Sequence, residues 1–135
     1  MIYLDNAATS FPKPKQVIDA VAHYLREIGG NPGRAAHAPA REAARVIDRT
    51  RRSLATLLGK VAPSRILCTP STTVALNLAF KGLLQAGDHV VTTSMEHNSV
   101  MRPLHGLQKL GISHSQIPCS PSGELDPADI PSLIR

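Results

Sequence analysis

The sequence contains no tryptophan and only two tyrosines and two phenylalanines, so the stacking platforms with which proteins read single-stranded nucleic acid are nearly absent. It has two cysteines, Cys68 and Cys119, too few for a disulfide framework. No apolar run approaches the length of a membrane span, and no basic segment followed by an apolar stretch opens the chain. These absences point to a reducing, cytoplasmic setting with neither a membrane nor a nucleic acid as partner. Acidic residues are scarce too, ten against fifteen lysines and arginines. The excess concentrates where Arg41, Arg45, Arg49, Arg51 and Arg52 meet only Glu42 and Asp48. Four-residue spacing sets Arg41, Arg45 and Arg49 on one helical face, which reads either as a solvated face or as a contact with a subunit or further domain.

A length of 135 residues suffices for one core. With 42% hydrophobic and 19% charged residues the chain belongs among globular sequences rather than disordered ones, and its prolines and glycines are scattered as punctuation. Residues 1–14 read as a short strand and a loop arm, Ile2-Tyr3-Leu4 being β-prone and Asp5-Asn6-Ala7-Ala8-Thr9-Ser10 small and polar. Pro12 and Pro14 mark a helix start. Val17, Val21, Tyr24, Leu25 and Ile28 recur at helical spacing up to Gly29-Gly30, which predicts an amphipathic helix over 15–28 with one buried face. After the irregular Asn31-Pro32-Gly33-Arg34, a second helix is expected over 39–58 with Ala43, Ile47, Leu54 and Leu57 inward.

From residue 65 a rhythm sets in: strand 65–69, helix 72–84, strand 89–93, helix 98–110, strand 112–117. That order predicts an α/β fold with a mostly parallel sheet flanked by helices. Pro103 falls in the first turns of its helix, where it costs least, and Asp126-Pro127 offers a last helix start. Cys68 is expected inside a core strand and Cys119 in a connecting loop. A sheet of so few strands leaves an unpaired edge, so the fold reads as incomplete.

In open α/β sheets, ligands bind beyond the carboxyl ends of the strands, where helix N-termini converge. Two short segments occupy such positions. In Pro70-Ser71-Thr72-Thr73, consecutive hydroxyls at a helix start can donate to a phosphate, toward which the first backbone N–H groups and the helix dipole also point. Plain N-capping by Ser71 or Thr72 accounts for the same residues without a ligand. In Ser94-Met95-Glu96-His97-Asn98-Ser99 an imidazole lies at the same rim. It can stack on an aromatic ring and exchange protons near neutral pH, or serve as a surface or capping residue. No metal site is expected: His97 and His105 are eight residues apart, roughly 12 Å along a helix.

Five segments together resemble, in order, the successive motifs of the cysteine desulfurases of the class V aminotransferase family. They are Tyr3-Leu4-Asp5-Asn6-Ala7-Ala8-Thr9, Asn31-Pro32-Gly33-Arg34 with His37, Ser71-Thr72-Thr73 leading to Ala75-Leu76-Asn77, Gly87-Asp88-His89-Val90-Val91, and Glu96-His97-Asn98-Ser99. The resemblance implies pyridoxal 5'-phosphate (PLP) as cofactor. It implies the N-terminal part of the large PLP-binding domain of fold type I, residues 15–135 forming its first half. Thr72 and Thr73 would bind the PLP phosphate, and His97 would be catalytic, stacking over the pyridine ring and assisting proton transfers. Asn6, Ala7 and Ala8 would approach the substrate side, and the loop from Asn31 to His37 would lie near a dimer-formed active site.

The reaction so implied converts L-cysteine to L-alanine and passes sulfur to an enzyme cysteine, in a homodimer that has a sulfur-acceptor protein as a further partner. In the family, the lysine that holds the cofactor, the aspartate at the pyridine nitrogen, the arginine for the substrate carboxylate and the persulfide cysteine all lie in later regions. None of Lys13, Lys15, Lys60, Lys81 or Lys109 matches the lysine motif, so this fragment is expected to be inactive alone. A selenocysteine lyase, an epimerase-like protein and a true aminotransferase share the phosphate and stacking residues and stay open as readings, as does a non-catalytic remnant.

Overall fold

The computed structural model describes residues 2–33 and 36–135, which fall into two compact units, Met1–Leu67 and Cys68–Arg135. Arg34, expected in the irregular loop, lies outside the described residues.

In the first unit, Tyr3 organises the arm. Its hydroxyl donates to the carbonyls of Asp5 at 3.1 Å and Thr9 at 2.9 Å, and its ring meets Phe11 edge-on at 5.4 Å. The strand expected at the start does not form: residues 2–5 carry no regular structure, since a strand needs a ladder partner and none of the described residues supplies one. Helix α1 (Lys15–His23) follows Pro14 directly and widens into a π-helical turn, Tyr24–Ile28, that stops at Gly29 with φ 55°. The Tyr24 hydroxyl donates to the Gly30 carbonyl at 2.8 Å. Gly30 has no room for a side chain, because a Cβ there would stand 2.4 Å from the Pro39 carbonyl. This close approach lets α2 (Ala38–Leu57) pack against the π turn. His37 caps α2, its Nδ1 accepting the Ala40 N–H at 3.3 Å, and the buried residues of the helix are Ala40, Ala43 and Ala55.

The apolar faces expected to be inward in this unit are covered only in part: Ala43 is buried and Tyr24, Ile28 and Ile47 are half-buried. Val17 and Val21 are exposed and Leu25 is 71% exposed; Leu54 is exposed and Leu57 is 80% exposed. Periodicity marks a face that could be buried, but burial needs a surface opposite, and α2 meets the preceding turn through Gly30 and Ala40 instead. Arg41, Arg45, Arg49 and Arg52 of α2 are exposed, whereas Arg51 is half-buried. Arg45 pairs with Glu42 at 2.8 Å and Arg52 with Asp48 at 2.7 Å, each pair open to solvent on the arginine side, so these pairs contribute little to stability.

The expected strand over 65–69 is also missing. Pro63–Arg65 forms a single 3-10 turn, and Ile66 has extended dihedrals with no ladder partner among the described residues. Cys68 is consequently exposed rather than set in a core strand.

The second unit carries the sheet. Ser71 caps α3 (Thr72–Leu83), its Oγ accepting the Val74 N–H at 3.2 Å. Strands β1 (His89–Thr93) and β2 (Ser113–Ile117) pair in parallel, in register from His89↔Ser113 to Thr93↔Ile117. Between them α4 (Asn98–Leu107) runs on through a 3-10 turn, Gln108–Leu110, to Gly111 at φ 80°. Parallel strands require such a crossover, and an amphipathic helix fills the role because it can cover the sheet with one face. Leu104, Leu107, Ile112 and Ile117 are buried; α4 packs against β2 and against α3. Asp126 then caps a 3-10 turn, Pro127–Asp129, that leads into the short α5 (Ile130–Leu133). Among the described residues the sheet has two strands, a partial version of the expected parallel sheet flanked by helices.

Candidate functional site

The carboxyl ends of β1 and β2 are tied together. The Ser94 N–H donates to the Ile117 carbonyl at 2.9 Å, and the Cys119 N–H donates to the Ser94 Oγ at 2.9 Å, so Cys119 lies in the expected loop. Glu96 folds back on the strand end, its Oε1 accepting the Thr93 N–H at 3.3 Å and the Thr93 hydroxyl at 3.0 Å. Hydrogen bonding from the Thr92 hydroxyl, and from the hydroxyl and N–H of Thr93, holds the Glu96 carboxyl below the ordinary glutamate range, against a smaller opposing effect of burial.

This turn delivers His97 to the N-cap of α4. Its backbone is extended, and Nδ1 accepts the Ser99 N–H at 3.1 Å with the Ser99 hydroxyl 2.8 Å away. A cleft of about 600 Å³ opens between α3 and α4, with Thr73, Asn77 and Lys81 on one wall and His97, Ser99 and Arg102 on the other. No carboxylate is among its lining residues, whereas Lys81 and Arg102 bring positive charge. That volume lies within the range of small-molecule sites, and an anionic group suits the lining.

The residues singled out in the sequence are thus only partly assembled. Thr73 and His97 line the same cleft; Thr72, the first residue of α3, is exposed beside it and is not among the lining residues. Asn6, Ala7 and Ala8 belong to the first unit, where the Asn6 amide is engaged at both ends, with Nδ2 donating to the Tyr3 carbonyl at 3.4 Å and Oδ1 accepting the Phe11 N–H at 3.2 Å. His37 also lies in that unit, as the cap of α2. Among the described residues no group of three His, Cys, Asp or Glu side chains could hold a metal, and no helix is long and apolar enough to cross a membrane.

Comparison with known proteins places this geometry. The family model of class-V aminotransferases matches residues 2–135. The chain belongs to the class-V aminotransferase family. It is 35% identical to a cysteine desulfurase IscS of Dictyoglomus turgidum over 99% of its own length and 34% of that protein. It is 33% identical to a mitochondrial cysteine desulfurase of Drosophila melanogaster over 93% of its length and 28% of that protein. Among solved structures, the apo cysteine desulfurase of Thermococcus onnurineus NA1 superposes with a TM-score of 0.81 at 31% identity, covering 98% of this chain and 34% of that one. The chain therefore spans about a third of the length of the relatives it matches and corresponds to their N-terminal part.

Sequence reasoning gave no role to Asn77, Lys81, Arg102 or Ser99. A signal for the first two was present, since Thr73, Asn77 and Lys81 follow one another at four-residue spacing and so share a face of α3. Arg102 and Ser99 required knowing which face of α4 turns toward α3, which spacing within one helix does not contain.

Proposed function

We propose that this chain is the phosphate- and ring-holding part of a PLP-dependent cysteine desulfurase that converts L-cysteine to L-alanine. The observation that carries this is a cleft free of carboxylates, lined by Thr73 and His97 from the first turns of adjacent helices. The residues present suit the cofactor. The N–H groups of Thr72 and Thr73 precede the first intrahelical acceptor, and no hydrogen bond engages either hydroxyl among the described residues. Lys81 and Arg102 add positive charge for a phosphate dianion.

When bound, PLP supplies an electron sink for bonds rearranged at the amino-acid α-carbon. Thr72 and Thr73 would hold its phosphate; His97 would face the pyridine ring and could hold or release a proton at Nε2. Residues 1–14 form an arm, with Asn6, Ala7 and Ala8 toward the substrate, and residues 15–135 the first half of the large domain. L-cysteine as substrate, a homodimer, a sulfur-acceptor protein and a cytoplasmic setting belong to the same reading. Kinship with proteins named cysteine desulfurases supports them.

In the full-length protein, Thr73→Val is expected to weaken PLP retention about tenfold to hundredfold on dialysis. That is the loss of one hydrogen bond to a charged acceptor, about 1.5–3 kcal/mol. Unchanged retention removes Thr73 from the phosphate site. Release of sulfide and alanine from L-cysteine by the full-length protein, and by no preparation of residues 1–135 alone, is the expected pattern of activity; turnover by the fragment overturns the placement of the reacting groups elsewhere in the enzyme.

A further inference from the structure

We infer that Ser99 is a positioning residue that fixes the tautomer and orientation of His97. The inference rests on reading His97 as the residue that faces the cofactor ring. The Ser99 N–H lies 3.1 Å from His97 Nδ1, and an amide N–H can only donate, so Nδ1 must offer its lone pair. A neutral imidazole carries one proton, which is then on Nε2. The Ser99 hydroxyl is 2.8 Å from the same Nδ1. With the lone pair already assigned, the hydroxyl is also a donor. Moving the ring proton to Nδ1 would set it against the amide N–H, which can only donate, whereas the hydroxyl could turn to accept it; the amide selects the tautomer and the hydroxyl helps to hold the ring.

The arrangement is tied to the helix. Ser99 is the second residue of α4, so its backbone N–H is aimed by the helix itself, and its hydroxyl has no other partner among the described residues. The ring is thereby anchored to α4, and Nε2 is the nitrogen left to meet a ligand, the device by which one hydrogen bond selects the working nitrogen of a histidine. His37 provides the contrast. Its Nδ1 accepts only the Ala40 N–H, at 3.3 Å, with no hydroxyl joining it among the described residues.

The test is a two-bond 1H–15N correlation spectrum of the histidine rings in the full-length, PLP-free protein. The His97 signal is assigned by its loss in His97→Asn, which keeps a capping side chain. The wild type is expected to show an unprotonated Nδ1 and a protonated Nε2. Ser99→Pro, which removes the amide N–H in the first helical turn where proline is tolerated, should lower the ratio of the two tautomers roughly fivefold, the worth of one hydrogen bond, drawing the two nitrogen shifts together, and Ser99→Ala, which keeps the amide, should retain the wild-type pattern. A wild-type ring protonated on Nδ1, a Ser99→Pro spectrum that superposes on the wild type, or a Ser99→Ala spectrum that has lost the wild-type pattern, overturns the inference. Should Ser99→Pro unwind α4, the wild-type and Ser99→Ala spectra decide in its place, since both proteins keep the amide donor. Cofactor retention is not read here. A protein that ignores PLP yet shows the Ser99 dependence overturns the proposed function alone; one that binds PLP without the dependence overturns this inference alone.

Discussion

In the second unit the buried apolar residues are Leu104, Leu107, Ile112 and Ile117, whereas in the first they are Ala40, Ala43 and Ala55, and the larger side chains of α1 stay exposed. The helical patterns that precede them are of similar quality. What differs is the counterpart: α4 has a strand and a second helix to cover, while α1 runs into a π turn that meets α2 at Gly30, where only backbone fits. The same contrast holds for the two histidine caps. His37 holds a helix start with one hydrogen bond, and His97 does so with two at the rim of a cleft that also contains Thr73. A capping histidine becomes a candidate for chemistry through what the strand before it and the helix beside it bring near.

The sharpest way to break this comparison is to truncate one leucine in each unit. Leu104, 1% exposed, should cost about 2–5 kcal/mol as Leu104→Ala, whereas Leu25→Ala should stay within about 0.5 kcal/mol. Denaturant unfolding of the two variants measures both, and equal losses would mean that α1 has a partner surface after all. Next in size is Gly30→Ala, whose Cβ would collide with the backbone of Pro39 and Ala40. Overpacking of this kind costs about 1–3 kcal/mol, and loss of helix signal from α2 on milder heating than the wild type would register it. An unchanged melting curve would show that Gly30 and Pro39 are not in contact.

The smallest effect concerns pH. Hydrogen bonds from Thr92 and Thr93 lower the pKa of Glu96 in the folded chain, so its contribution is fully present above the unfolded glutamate value and is lost as pH falls through the lower folded value. Glu96→Gln should therefore destabilise the second unit at neutral pH, and the difference from the wild type should shrink on acidification. Unfolding midpoints at a series of pH values check this; a gap that widens toward acid would reverse the assigned sign.

Much of the second unit was legible in advance. The strand His89–Thr93 and the start of the helix at Asn98 follow from local signals, an apolar β-branched run and a turn that ends in a capping side chain. The strand expected over 65–69 failed for the opposite reason, since its residues are suitable and its ladder partner is absent among those described. His97 could be chosen because it follows the carboxyl end of a parallel strand at a helix start; Thr73 reaches the same cleft from the first turn of α3, although the strand expected before it is absent among the described residues. Ser99 could not: its role depends on two distances of about 3 Å to one ring nitrogen, and a dipeptide spacing does not say which way a ring turns.

By itself the sequence determined where helices begin and end, which motifs stand in order along the chain, and through them the family. Capping residues, glycines at positive φ and apolar periods act over a few neighbouring residues, so their consequences can be worked out from the local chain. The tertiary structure alone decided which apolar faces are covered, that Lys81 and Arg102 look into the same cleft as His97, and that the Ser99 N–H meets Nδ1 of the His97 ring. Each of these depends on a contact between residues that different elements, or one tightly turned backbone, bring to a few ångströms, and burial and hydrogen bonding fall away steeply beyond that range.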